Sequence, residues 1–144
     1  MDIKTTIKRL KDYKKDKEEK QRLEKEMYEQ ECERYENIIL SMSNEMDELL
    51  ELRKIAKDCL DEKQFNFFIT EYKSISFDKD SNEEFSVDIN DKFLRIYKNR
   101  ANGYNLRFGE DDPRLVLMKT FVKNFEKFKQ EKIKYVNNVL DGKI

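Results

Sequence analysis

From Tyr28 to Leu60 the chain places Tyr28, Cys32, Tyr35, Ile39, Met42, Met46, Leu49, Arg53, Ala56 and Leu60 at alternating steps of four and three residues. Nine of these ten side chains are apolar or aromatic, and the spacing is that of a helix seam in a coiled coil. No other feature constrains the fold as strongly. Leaving such a stripe in water forgoes about 0.8 kcal/mol for every methylene it could bury, so the seam requires a covering element. Residues 1–63 contain neither Gly nor Pro, which predicts one long helix or two in succession. The step Ser41-Met42-Ser43-Asn44 is the one candidate break, because Ser and Asn bond to nearby backbone and favour caps. A break there would let Ile38–Leu40 and Leu49–Leu60 fold back as a helical hairpin.

Toward the N-terminus the seam dissolves into charge. Ile3, Ile7 and Leu10 begin it, but Lys14 and Lys17 occupy its next positions, and residues 11–26 add only Tyr13 and Leu23. Charged residues make up 42% of the chain against about 25% in ordinary globular proteins, which implies long solvated helix surfaces. The net charge is only -1, yet it is segregated. Residues 4–25 hold ten basic and five acidic groups, residues 26–62 four basic and twelve acidic, and residues 113–144 eight basic and three acidic.

The expected organisation is a charged helical region over 1–63 and a small head over 64–144. Cys59, Leu60, Phe67, Phe68, Ile69 and Tyr72 still suit a helical face, so helix is expected to about Tyr72. The period then changes from 3.6 to 2. Ile75 and Phe77 alternate, as do Phe85, Val87 and Ile89, with a turn over Asp78–Asn82 between them. Asn90-Asp91 is a second turn, Phe93–Lys98 a third strand, Asn99–Gly103 a loop ending in the turn pair Asn102-Gly103, and Tyr104, Leu106 and Phe108 a fourth strand. Asp111-Asp112-Pro113 reads as an acidic cap and a first-turn proline, opening a helix with Leu117, Met118, Phe121, Val122, Phe125, Phe128, Tyr135, Val136, Val139 and Leu140 on one side. The fold class is α+β: a long coiled-coil-like helix or helical hairpin, an antiparallel sheet of three or four strands, and a C-terminal amphipathic helix.

The chemistry is restrictive. There is no histidine, hence no imidazole base or metal ligand. Cys32 and Cys59 lack zinc-site spacing, and the three glycines form no phosphate-cradling loop. No catalytic residue, cofactor or resident metal is expected; Glu110, Asp111 and Asp112 could gather Mg2+, but an acidic helix cap explains them more simply. No run approaches the roughly 20 apolar residues of a membrane span, and a cytoplasmic setting without membrane attachment is expected.

Two surfaces remain as binding candidates. Lys92, Arg95, Tyr97, Lys98, Arg100, Tyr104 and Arg107 form a basic and aromatic patch suited to a protein partner, or alternatively to nucleic acid. Charge balance disfavours the latter. The seam, with Tyr28, Cys32, Tyr35, Ile39, Met42, Met46, Leu49, Ala56 and Leu60 as assembly residues, predicts a homodimer unless the C-terminal helix covers it within one chain. The expected function is a non-enzymatic binding protein that regulates or inhibits a protein partner, an architecture similar to that of small phage-borne inhibitors of host enzymes.

Overall fold

The computed structural model describes residues 2–99, 101 and 103–144. The chain divides into two compact units, Met1–Arg34 and Tyr35–Ile144. Helix α1 (Ile3–Ser41) runs through the first and into the second. At its start the Asp2 carboxylate accepts the Thr5 amide at 2.7 Å, an N-cap bond that satisfies one of the free amides of the first turn. Every described residue from 2 to 30 is exposed. Ion pairs one turn apart, Lys14 with Glu18 and Arg22 with Glu26, support this stretch by a few tenths of a kcal/mol each at most, and Arg34 pairs with Glu31 just beyond it.

The second unit completes an α+β fold, with α2 (Ser43–Cys59), α3 (Glu62–Phe68), β1 (Ile75–Phe77), β2 (Glu84–Ile89), β3 (Lys92–Asn99), β4 (Gly103–Phe108) and α4 (Arg114–Leu140). Only Met42 separates α1 from α2. The Ser41 hydroxyl donates to the Ile38 carbonyl and the Ser43 hydroxyl to Leu40, so the two serines flanking Met42 compete for the backbone where the helix is interrupted. Met46 N still bonds Met42 O at 3.0 Å. A one-residue joint cannot reverse a chain, which needs at least two, so the helical hairpin is not formed. The helix expected to reach Tyr72 stops at Cys59 instead. Leu60 is extended, and Asp61 and Gln64 form a reciprocal capping box that starts α3 afresh.

The four strands form one antiparallel meander in the order β1-β2-β3-β4. Asn90 and Asp91 both have positive φ, 47° and 67°, which is the type I′ geometry that matches strand twist in a two-residue hairpin. Asn102 of the expected turn pair lies outside the described residues. Registered rows such as Phe77–Phe85–Ile96–Leu106 place alternate side chains on one face. Helix α4 covers that face. Phe121, Phe125 and Phe128 are all at most 1% exposed, and Phe85 sees all three at 6.0 to 6.4 Å between ring centroids. Burial of three phenylalanines, at about 1.5 to 3 kcal/mol each, anchors the helix.

The start of α4 differs from the sequence expectation in one respect. Pro113 stands at the cap position itself and no side chain caps the helix. Asp112 turns away and accepts the Phe93 amide at 2.9 Å, with Lys92 beside it at 3.7 Å, so its charge secures the head of β3 rather than the helix. Among the described residues no helix is long and apolar enough to cross a membrane.

Candidate functional site

The basic patch read from the sequence is divided by the two-residue period of the sheet. Lys98 and Tyr104 are registered partners on the same side as Leu94 and Ile96, facing the core. Tyr104 is 3% exposed, and its hydroxyl donates to Asp47 Oδ1 of α2 at 2.7 Å, while Lys98 Nζ donates to the same oxygen at 2.8 Å. These two bonds, Lys98 first, hold the Asp47 carboxyl below its ordinary range. Burial, and then Asp47 itself, push the Tyr104 phenol well above its own. The three groups form a strut between α2 and the β3–β4 edge.

Arg95, Tyr97 and Arg107 stand on the opposite face, which α4 leaves open. Arg95 pairs with Asp88 at 3.1 Å, and its guanidinium lies 4.6 Å from the centre of the Phe93 ring, with Arg107 at 5.9 Å from the same ring. Lys92 is paired with Asp112, as above. Arg100 lies outside the described residues. The patch is thus dispersed: Lys92, Arg95 and Lys98 each have a carboxylate of their own chain.

A different feature occupies the open face. A groove of about 760 Å³ runs over the sheet, floored by Ser76 and Ser86, walled by Ile69 and Thr70 after α3, and rimmed by Asp78, Asp80, Asp88 and Arg95. Its rim is set by Arg53, the one charged member of the seam. Arg53 is 1% exposed and donates to the carbonyls of Asp78 at 2.8 Å and Lys79 at 3.3 Å and to the Asn82 side chain. Its guanidinium lies over Phe65 and Phe77, at 5.5 and 5.9 Å. Near the rim, burial and then the charge of Asp78 raise the Glu84 carboxyl above its ordinary range.

The second buried cation, Lys132, was not singled out in the sequence. It is 6% exposed and its Nζ donates to Phe68 O at 2.6 Å and Thr70 O at 2.7 Å, closing the carbonyl end of α3. Burial lowers its pKa to about 8. The available signal was its position: Phe121, Phe125, Phe128, Lys132 and Tyr135 fall on one helical face, so a lysine stood in an apolar stripe. Above it lies a cleft of about 320 Å³ between α3 and α4, bordered by Phe67 and Tyr135, whose rings are 4.8 Å apart.

Of the residues expected to mediate assembly, Cys32, Ile39, Met46, Leu49 and Ala56 are buried within the chain, at 4% exposure or less. Tyr35, Met42 and Leu60 are half-buried, and Tyr28 is 38% exposed. From Ile39 onward most of the seam is therefore taken up by the chain's own core, with Met42 and Leu60 left half-buried. Among the described residues no group of Cys, Asp or Glu side chains is arranged to hold a metal ion, Glu110 to Asp112 included. No protein-family model matches the chain, and comparison with curated proteins and with solved structures finds no match.

Proposed function

We propose that the chain is a non-enzymatic binding protein whose second unit engages a protein partner across the open face of its sheet and thereby regulates or inhibits that partner. The observation that carries this reading is the groove over Ser76 and Ser86. Small hydroxyl side chains leave room for another backbone, and a rim bearing both carboxylates and Arg95 suits a polypeptide segment with charges of both signs. The internal pairing of Lys92, Arg95 and Lys98 speaks against nucleic acid, since phosphate binding requires cations available to replace counterions.

Capture from an extract of the native cells, run with and without nuclease, tests the reading. The partner is expected to survive nuclease and moderate salt, and to be lost when Ser86→Trp fills the groove in a chain that circular dichroism shows to be folded. Loss on nuclease treatment would replace this reading with nucleic-acid binding, and capture unchanged by Ser86→Trp would remove the groove from it.

A further inference from the structure

The first unit carries a surface that the core of the second does not account for. Ile3, Ile7, Leu10, Lys14, Lys17, Gln21, Glu24 and Tyr28 form a seam of their own at alternating steps of four and three, which meets the Tyr28–Leu60 series at Tyr28 with two successive steps of four. Ile3 is 78% exposed, Ile7 46%, Leu10 63% and Tyr28 38%. Apolar groups thus stand at both ends of this seam and polar ones in its middle. The charge is bipolar along the same axis, with seven basic and two acidic groups over residues 4–17 and four basic and seven acidic over residues 18–34.

We propose that this segment pairs with the same segment of a second copy running in the opposite direction. A parallel pair would stack Lys14 on Lys14, Lys17 on Lys17 and Glu24 on Glu24, and would align the two basic ends. Reversing one helix lays each basic end along the other's acidic half. It also pairs the polar middle of the seam, although Ile7 then falls beside Glu31. When Leu10 lies beside Tyr28 of the second copy, Lys14 falls beside Glu24 and Lys17 beside Gln21, and two-fold symmetry repeats each contact. Polar groups at seam positions select orientation and register at a cost in stability, and they do so here. The same register brings Lys11 near Lys25 and Glu18 near its own copy, so the pair is weak and reversible. The Lys14 contact with Glu18, 3.9 Å long between exposed groups, is loose enough to exchange. This assembly goes beyond the groove reading and stands independently of it.

The test uses the full chain in a Cys59→Ser background, where Cys32 stays buried. Sedimentation over a range of concentrations is expected to show reversible doubling of mass. Leu10→Cys protein mixed with Tyr28→Cys protein is expected to yield mainly the mixed disulfide. Lys14→Glu and Glu24→Lys are each expected to weaken association, and the double exchange in one chain to restore it. All four positions are exposed, so folding is not at stake. A monomer at every concentration, a predominance of Leu10→Cys with itself, or charge exchanges that leave association unchanged would each overturn the proposal.

Discussion

Lys132 reaches across 64 positions of sequence to donate to the Phe68 carbonyl at 2.6 Å, so the ammonium of α4 closes the end of α3. The sign of its pH effect follows from burial. Its pKa falls from 10.5 to about 8 in the folded chain. Below pH 8 the amine is charged in both states and the folded chain bears the full cost of burying it. Between about 8 and 10.5 the unfolded chain holds the extra proton, so stability rises with pH, by at most about 3 kcal/mol. Tyr104 acts in the opposite sense above its ordinary 10.0, because the unfolded chain loses the phenol proton first. Chemical denaturation across this range is expected to show a rise from pH 8 that turns down near 10. Lys132→Met should flatten the rise while leaving the downturn.

Arg53 offers a second measurement. Arg53→Met keeps much of the buried volume but leaves two carbonyls and the Asn82 side chain without their donor. These bonds are part-buried and each is worth about 1 kcal/mol or more to a charged donor, so a total loss of about 3 kcal/mol is expected in denaturant midpoints. Amide exchange should quicken over residues 78–82 before it does elsewhere. Uniform quickening would mean that the guanidinium does not specifically hold this loop.

The Asp47 strut separates a bond from its orphan. Tyr104→Phe removes one hydrogen bond while Lys98 still serves Asp47, at a cost of about 1 kcal/mol. Asp47→Ala strands a buried phenol and should cost more. The carboxyl is held below its ordinary 3.8, so its contribution is present above that pH and lost as pH falls through the lower folded value. Acid unfolding curves of Asp47→Asn and the parent chain should therefore converge at low pH.

Two apolar positions on the same helix should respond oppositely to truncation. Ile39 is fully buried, and Ile39→Ala is expected to cost about 2 to 5 kcal/mol in unfolding free energy. Leu10 is 63% exposed, and Leu10→Ala is expected to leave the unfolding of dilute protein within about 0.5 kcal/mol of the parent. A large effect at Leu10 in dilute protein would show that the residue is covered within the chain.

Much of the architecture was legible because its signals are local. Alternation at Phe85, Val87 and Ile89 and the turn pair Asn90-Asp91 determine a hairpin without reference to anything distant. The interruption at Met42 likewise follows from its flanking serines. The end of α2 was also written locally, in Asp61 and Gln64, but the apolar residues beyond it matched a helical face and outweighed the capping signal. What sequence position alone could not reveal was the side chain's eventual partner. Lys98 and Tyr97 are neighbours in sequence and lie on opposite faces, so a patch counted along the strand was two surfaces in space. The seam was real as a pattern, but the core of the same chain supplied most of its cover.

Arg53 grips the Asp78 and Lys79 peptides by their carbonyl oxygens, and every residue type offers the same oxygen. Lys79 and Asp80 can therefore be exchanged for other residues without loosening the hold, provided Asn82 keeps its amide. The lip of the groove is free to drift in chemical character while its place above the serine floor stays put, so the face it presents can change without the scaffold being rebuilt.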